Sequence, residues 1–218
     1  MIAAVVGVGG LGCPAARALA LSGVSLRLID EDRVETSNLH RQLLFTDDDV
    51  GAFKVDAARS ALSRLAPGVH VEAARAHLAP ETARGLIAGV DVVVEGTDAL
   101  GAKFLAADVC ASMKVPVVHG ACVAWAGTVL ATRWGAGACY RCVFESPPDD
   151  ELGDCATRGV YGPVTSVVGA LMAAAALRLL RGDPTVAGSL ARYDGWRQSF
   201  RATRFGARAG CPLCGGER

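Results

Sequence analysis

Apolar strands alternate with helices through the first 120 residues of this 218-residue chain, and this alternation limits the fold more than any other feature. The strands are apolar at nearly every position, which is typical of strands buried on both faces. They are Ile2–Val8, Leu26–Asp30, Val69–Ala74, Asp91–Glu95 and Val115–His119, and the helices between them are Cys13–Ser22, Phe53–Leu65, about 80–88 and Leu100–Met113. This order predicts an α/β fold, a Rossmann-like, doubly wound, mainly parallel sheet.

The second half of the chain has a different pattern. Val123–Arg133 and Leu190–Phe205 resemble longer strands with hairpin character, and a helix predicted over Pro163–Arg181 separates them. We therefore expect antiparallel strands that extend the parallel sheet. The length suits one domain over residues 1–218, with halves at 1–120 and 121–218.

Charge argues against two classes of partner. With 22 basic and 22 acidic residues, the chain has no net field that favours nucleic acid or a membrane surface. Arginines are frequent near the C-terminus without an accompanying array of aromatic residues, so we interpret them as a solvated strand face. They are Arg192, Arg197, Arg201, Arg204 and Arg208.

The apolar run Pro163–Leu180 has the length of a membrane span but includes Thr165, Ser166, Gly169 and Arg178. We expect a core or subunit-interface helix there rather than a span. The chain enters its first strand without a positively charged leader, and its eight cysteines include two C-x-x-C pairs, which suit a reducing compartment. We expect a cytoplasmic protein.

The sequence GVGGLG joins the first strand to the first helix, with glycines at Gly7, Gly9, Gly10 and Gly12. Such a turn lets backbone N–H groups approach phosphates at a helix N-terminus. Asp30 ends the second strand at about the position of a ribose-binding acid. These features suit a dinucleotide and ATP equally well.

The stretch DEDRVETSNLHRQLLF favours a triphosphate. Asn38, Arg41, Gln42 and, further on, Lys54 bring two cations and two amides towards the phosphates. A dinucleotide needs few of these groups, whereas a triphosphate requires fork-shaped donors such as arginine. The alternative is a solvated loop with an incidental arginine and lysine.

Asp98 follows the buried strand DVVVE, at the sheet edge where ligands bind in open α/β folds. A carboxylate there could hold Mg²⁺ between phosphates. Alternatively, Asp98 or Thr97 caps the following helix, and the two roles are compatible.

Two C-x-x-C pairs, Cys139/Cys142 and Cys211/Cys214, have the spacing of zinc ligands. The gap between them is much longer than in a zinc ribbon, so the fold must bring the pairs together. The alternatives are two unrelated thiol pairs or one redox pair. Cys13, Cys110 and Cys122 lie in apolar contexts and are predicted core residues.

Taken together, these motifs resemble the MoeB/ThiF/HesA family, the bacterial relatives of ubiquitin-activating enzymes. The resemblance rests on GVGGLG, DEDRVETSNLHRQ, Lys54, TDA, CYRC, GVYGP and CPLC in this order across the chain. It implies an ATP-dependent adenylyltransferase that activates the C-terminal carboxylate of a small ubiquitin-like sulfur-carrier protein ending in Gly-Gly. It also implies a homodimer.

The same resemblance assigns roles to individual residues. Asp30 would bind the ribose, and Asp98 would coordinate Mg²⁺. The phosphates would be held by Asn38, Arg41, Gln42 and Lys54, and a structural Zn²⁺ by Cys139, Cys142, Cys211 and Cys214. Cys155 occupies the position where sulfur-transferring members form a thioester or persulfide, although a spare loop cysteine explains it equally well.

The chain departs from the family at three places. Relatives carry an N-terminal arm whose arginine reaches ATP in the partner subunit, whereas the first strand here begins at Ile2. The family's Thr-Asp-Asn is Thr97–Ala99 here, and Lys103 replaces a common arginine. These changes leave two alternatives open. One is a non-catalytic carrier-binding module, and the other, further behind, is an NAD-dependent oxidoreductase.

Overall fold

An eight-stranded sheet in the order β3-β2-β1-β4-β5-β6-β7-β8 runs through the protein. The structure is a computed structural model and describes residues 1–146 and 159–215. The strands are β1 (Ile2–Val6), β2 (Ser25–Ile29), β3 (Val71–Ala74), β4 (Val92–Glu95), β5 (Val117–Val123), β6 (Ala126–Thr132), β7 (Ser189–Asp194) and β8 (Ser199–Arg204). The helices are α1 (Gly12–Leu21), α2 (Lys54–Leu65), α3 (Ala83–Ile87), α4 (Leu100–Met113), α5 (Tyr140–Val143) and α6 (Gly162–Leu180).

Strands β3, β2, β1, β4 and β5 are parallel, which confirms the doubly wound fold. Both faces of the central strand β1 are buried: Ala3 and Val5 pack with α1, α2 and α6, whereas Ala4 and Val6 pack with α3 and α4. A strand enclosed in this way needs apolar residues at successive positions, and this need explains its sequence.

The antiparallel extension is also confirmed, with shifted boundaries. Strand β5 continues past His119 to Val123 because it forms a hairpin with β6, in which His119 pairs with Leu130. The segment predicted over Leu190–Phe205 divides into β7 and β8, with Gln198 at positive φ in the turn between them.

The helix predicted to begin near Pro80 is shorter and begins at Ala83. The hydroxyl of Thr82 accepts a hydrogen bond from the Ala79 N–H at 3.0 Å and donates one to the His77 carbonyl at 2.8 Å. These bonds close a separate turn before the helix, as Thr side chains often do.

Helix α6 has the length and apolarity of a membrane-spanning helix, with 44% of its most apolar window buried inside the protein. Its buried face, including Val168 and Met172, belongs to the core beneath the sheet. At Gly169 the helix touches α1 so closely that an added Cβ would lie 2.6 Å from the Leu11 carbonyl oxygen. A core helix meets the length and composition criteria for a span equally well.

Two smaller predictions concern side chains. Cys13, Cys110 and Cys122 are buried, as expected of core residues. Strand β8 is exposed along its whole length, as expected of a solvated arginine-rich face. Arg208 differs, because it is half-buried against the first C-x-x-C pair, where its side chain donates to the Arg141 carbonyl at 3.3 Å.

Candidate functional site

The glycine turn lies at the carboxyl end of β1. Gly7 has φ +82° and its N–H donates to the Ile29 carbonyl at 2.9 Å. A Cβ at Gly7 would stand 3.0 Å from Thr97, and one at Gly12 would overlap the Gly7 carbonyl oxygen. Only glycine fits at these two positions, and the turn directs the N–H groups at the start of α1 towards the sheet edge.

Asp30 stabilises this turn through its carboxylate. One oxygen accepts the Val8 N–H at 2.7 Å and the other accepts the Asp32 N–H at 2.9 Å. Burial raises the pKa of Asp30, and the positive charge of Lys54 opposes that effect. The carboxylate therefore lies beside the turn, where a ribose-binding acid is expected.

Asn38 organises the donor group that the sequence predicted. Its side-chain oxygen accepts bonds from Gln42 Nε2 at 2.7 Å and from Arg41 Nη2 at 3.1 Å. Asn38 and Gln42 are buried, and Gln42 Oε1 has no hydrogen-bond partner among residues 1–146 and 159–215. The Arg41 side chain lies against the turn, since a Cβ at Gly10 would stand 3.5 Å from its Cδ.

Lys54 is the first residue of α2 and is nearly buried. Its ammonium group lies 2.7 Å from a carboxylate oxygen of Asp32, which is itself exposed. The structure thus brings the glycine turn, Asp30, the Asn38 group and Lys54 to one edge of the sheet.

Asp98 completes this edge from the neighbouring strand β4. The Thr97 backbone N–H and methyl group lie next to Gly7, so the turn Gly96–Asp98 contacts the glycine turn directly. Asp98 is exposed, and its side chain has no hydrogen bond or ion pair with the described part of the chain. Its free carboxylate oxygens suit a Mg²⁺ ion shared with phosphates.

The helix-cap alternative for this turn is wrong. Helix α4 begins at Leu100 with Ala99 at the cap position, and no side chain in the described part of the protein caps it. The Thr97 hydroxyl instead donates to a Glu95 carboxylate oxygen at 2.6 Å.

Sequence reasoning missed a buried ionic cluster behind this turn. Glu95 is fully buried, and its carboxylate contacts the Lys103 ammonium at 2.9 Å and His119 Nδ1 at 3.3 Å. Burial alone would raise the pKa of Glu95, but Lys103, His119 and Thr97 together lower it to about 2. An acid ending an apolar strand, with a lysine in the next helix, was the available signal.

An apolar groove of about 380 Å³ opens beside Asp98 at the same edge. Its walls are the segment His77–Pro80, which follows β3, and the start of α4 from Ala99 to Leu105. A groove between segments that follow two parallel strands is a usual position for a nucleotide base.

Three exposed aromatic rings lie at the carboxyl end of β5. Trp125 stacks on Tyr161 with ring centroids 4.0 Å apart and meets Trp196 edge-on at 5.7 Å. Tyr161 immediately precedes α6, whose Gly162 lies so close to His40 that an added Cβ would stand 2.5 Å from the His40 carbonyl oxygen. The aromatic cluster is therefore next to the Arg41 side of the site.

The two C-x-x-C pairs come together as predicted. The sulfur of Cys139 lies 3.6 Å from that of Cys142 and 3.5 Å from that of Cys211, and Cys142 lies 3.3 Å from Cys214. All four sulfurs lie within 4.8 Å of one another, a spacing that suits four thiolates around one tetrahedral Zn²⁺. A closed set of four sulfurs fits a structural rather than a catalytic ion. Cys155 lies outside the described residues.

Two arginines surround the four cysteines. The Arg208 N–H donates to Cys142 Sγ at 3.3 Å. Arg141 forms two bonds of 2.7 Å to Asp108 of α4. The cluster is therefore tied both to the C-terminal segment and to the parallel half of the fold.

Fold and site together define a Rossmann-type nucleotide-binding protein with a four-cysteine clip. The model of the ThiF family matches residues 2–213, and the chain belongs to that family. It is 40% identical over 221 residues to the "Sulfur carrier protein adenylyltransferase" of Thermus thermophilus, covering 98% of this chain and 82% of the relative.

Longer relatives match as well. The chain is 38% identical over 214 residues to the "Adenylyltransferase and sulfurtransferase MOCS3" of Culex quinquefasciatus, covering 96% of this chain. It spans about half, 49%, of that relative's length. Among solved structures, E. coli MccB with SeMet MccA superposes with a TM-score of 0.86 at 23% identity, covering 99% of this chain and 66% of that one. This similarity supports the same α/β fold for the chain.

Proposed function

We propose that this protein is an ATP-dependent adenylyltransferase that activates the C-terminal carboxylate of a ubiquitin-like sulfur-carrier protein ending in Gly-Gly. The observation that carries the proposal is the set of charges at one sheet edge: Arg41 lies against the glycine turn, and Asp98 follows Thr97, which contacts that turn. Lys54 reaches the same edge through its contact with Asp32. A nicotinamide cofactor does not require two cations and a free carboxylate at this edge, whereas the triphosphate of ATP and its Mg²⁺ ion do. Relatives with adenylyltransferase names support the same choice.

In this proposal the nucleotide lies along the carboxyl edge of the sheet. Its base occupies the apolar groove between His77–Pro80 and α4, and its ribose faces Asp30. The phosphates lie over Gly9, Gly10 and the start of α1. Gln42 Oε1 is buried and has no hydrogen-bond partner among the described residues, so it can accept a bond from a donor group of a ligand, although not from a phosphate oxygen.

The cations around the turn are partly prearranged. Asn38 holds the Arg41 guanidinium through its side-chain oxygen, so little conformational freedom remains to be lost on binding. Lys54 must exchange its contact with the exposed Asp32 for one with a phosphate. A bound Mg²⁺ at Asp98 would neutralise part of the phosphate charge.

The reaction requires positioning more than acid–base chemistry. A carboxylate oxygen of the carrier attacks the α-phosphorus and forms an acyl-phosphate bond. The bond from that phosphorus to the bridging oxygen breaks, and pyrophosphate leaves with the electron pair. Because the attacking group is already an anion, Arg41 and Lys54 serve to offset charge and orient the phosphates.

The aromatic cluster of Trp125, Tyr161 and Trp196 suits the approach of the carrier. It is exposed, apolar and adjacent to the Arg41 side of the site, where the carrier's last residues must enter. Large aromatic side chains of this kind dominate the energy of many protein contacts.

The remaining assignments extend the proposal. Zn²⁺ on the four cysteines holds the C-terminal segment against the sheet, and residues 1–120 bind the nucleotide while 121–218 hold the zinc and the antiparallel strands. Two copies of the chain form a cytoplasmic homodimer. The Cys155 thiolate attacks the acyl carbon of the adenylate to give a thioester, and AMP leaves.

The direct test is ATP–pyrophosphate exchange with Mg²⁺ and a Gly-Gly-ended carrier from the same genome. We expect exchange that requires the carrier and is absent with the same carrier bearing a C-terminal carboxamide, which lacks the nucleophile. Arg41→Ala and Asp98→Ala should abolish exchange, whereas Arg17→Ala, which removes an exposed cation from α1, should not. ATP binding without exchange for every carrier would contradict the proposal and indicate a binding module.

A further inference from the structure

The buried cluster of Glu95, Lys103 and His119 lies behind the Asp98 turn rather than in the nucleotide site. Glu95 and His119 face each other in register on the adjacent strands β4 and β5, and Lys103 reaches them from the first turns of α4. Glu95 is 0% exposed and Lys103 is 4% exposed. Charges so deeply buried are rare unless they are paired, and the adenylation chemistry uses neither of them.

The two oxygens of Glu95 have separate partners. Oε2 faces Lys103 and His119, whereas Oε1 accepts the Thr97 N–H at 2.8 Å and the Thr97 hydroxyl at 2.6 Å. The Lys103 ammonium also donates to the Gly120 carbonyl at 2.6 Å. The Lys103 ammonium and the His119 ring thus orient one oxygen, and that orientation aims the other at the turn.

The turn Gly96–Asp98 positions Asp98 through its backbone, without a hydrogen bond to the Asp98 side chain from the described residues. Thr97, held by Glu95, packs against Gly7, and the Gly96 N–H donates to the Val6 carbonyl at 2.9 Å. The Asp98 side chain has no partner in the described chain that could orient it. Its position therefore depends on the backbone of this turn.

We propose that Glu95, oriented by Lys103, is a positioning residue that holds the Thr97–Asp98 turn against the glycine turn and so sets the contribution of Mg²⁺ to ATP affinity. The inference rests on the proposed ATP site and adds the device that aligns Asp98. A carboxylate accepting two short bonds from one residue fixes that residue's backbone more firmly than a neutral group would.

The test measures ATP affinity with Mg²⁺ and with EDTA, and uses the ratio of the two as readout. Glu95→Gln combined with Lys103→Met removes both charges and leaves neither unpaired, which favours a folded protein. Thr97→Val keeps the side-chain shape and removes the hydroxyl donor. Arg27→Met with Glu72→Gln removes the 2.8 Å ion pair between β2 and β3 and serves as the matched control.

We expect the ratio of ATP affinity with Mg²⁺ to ATP affinity with EDTA to fall about tenfold or more in the Glu95/Lys103 double variant, which is the scale of one charge-assisted contact. The ATP affinity measured with EDTA should change little. Thr97→Val should lose a smaller part and the control none. Adding Asp98→Ala to the double variant should cause little further loss, because both changes act on the same contact.

The outcomes separate the two proposals. A Mg²⁺-dependent gain that Asp98→Ala removes, but that the double variant and Thr97→Val keep in full, overturns the positioning role and leaves the proposed function intact. An equal loss of affinity with and without Mg²⁺ in the double variant indicates general damage and also overturns it. Failure of the wild-type protein to bind ATP removes the ATP site and this inference with it. A Mg²⁺-dependent gain in ATP affinity that Asp98→Ala leaves unchanged removes the Mg²⁺ role of Asp98, and therefore this inference, but leaves the ATP site.

Discussion

The Lys103→Met substitution offers the sharpest test of the energetics of the buried cluster. Methionine matches lysine in length and is unbranched, so packing in α4 is kept while the charge is lost. The change leaves the Glu95 carboxylate buried without its 2.9 Å cation and leaves the Gly120 carbonyl without its 2.6 Å donor. Breaking one half of a buried ion pair costs about 3–5 kcal/mol of the free energy of unfolding.

The loss in free energy of unfolding caused by Lys103→Met should depend on pH because His119 lies next to Glu95. In the wild-type protein burial lowers the pKa of His119, and Lys103 lowers it further while Glu95 opposes both. Without Lys103, Glu95 favours the imidazolium, so the folded-state pKa of His119 rises. Relative to the wild-type protein, a higher folded-state pKa of His119 makes the variant comparatively more stable at acidic pH, and that gain is lost as the pH rises through this pKa.

We therefore expect Lys103→Met to be more destabilising at pH 8 than at pH 6. The assay is urea unfolding followed by circular dichroism at both pH values and at matched metal content, with Arg27→Met/Glu72→Gln as control. Glu95→Gln/Lys103→Met should recover at least about 2 kcal/mol relative to Lys103→Met, because it leaves no charge unpaired. A loss below about 1 kcal/mol that is equal at the two pH values would refute this account.

Three further predictions concern the turn, acid stability and the clip. Gly12→Ala should destabilise the fold by about 1–3 kcal/mol, since the added Cβ overlaps the Gly7 carbonyl oxygen, and it should abolish ATP binding in equilibrium titration. The control Gly85→Ala, which has open space around the added Cβ, should not destabilise the fold. The pKa of Glu95 is lowered from 4.5 to about 2, so the ionised carboxylate adds about 3 kcal/mol to the free energy of unfolding above pH 4.5. This stability should be lost as the pH falls towards 2, and Glu95→Gln/Lys103→Met should lack this pH dependence in acid titrations. Cys211→Ser should reduce the zinc content measured by atomic absorption from about one ion per chain and lower Tm; unchanged zinc binding would contradict the four-cysteine assignment.

A fourth prediction in the same group addresses the carrier. Trp196→Ala, which removes a ring that is 74% exposed, should raise KM for the carrier about tenfold and leave KM for ATP unchanged in exchange assays. An equal effect on both substrates would argue against a carrier contact at the aromatic cluster.

The fold and the nucleotide edge were predictable because their signals are local in the chain. A parallel strand buried on both faces must be apolar throughout, and a tight strand-to-helix turn requires glycine. The sequence pattern alone therefore predicts the strand Ile2–Val6 and the turn at Gly7. The spacing of Cys139 and Cys142 likewise favours metal-binding chemistry before any fold is known, although it leaves a redox pair open. Local rules fail at boundaries, as in β5, whose last residues are a strand only because β6 pairs with them.

Only the tertiary structure decided which residues act together across the chain. Glu95, Lys103 and His119 are far enough apart in sequence that no periodicity connects them. Their burial shows that the charges of Glu95 and Lys103 depend on each other and on the imidazole beside them. Thr97 and Asp98 suggest a helix cap by residue type alone, yet the carboxylate of Glu95 takes the Thr97 hydroxyl and α4 begins uncapped. Sequence by itself determined the chemistry that was available, because residue types and short-range sterics are local. The geometry that joins the two cysteine pairs and aligns the Asp98 turn arises from long-range packing, which places residues according to the free energy of the whole core.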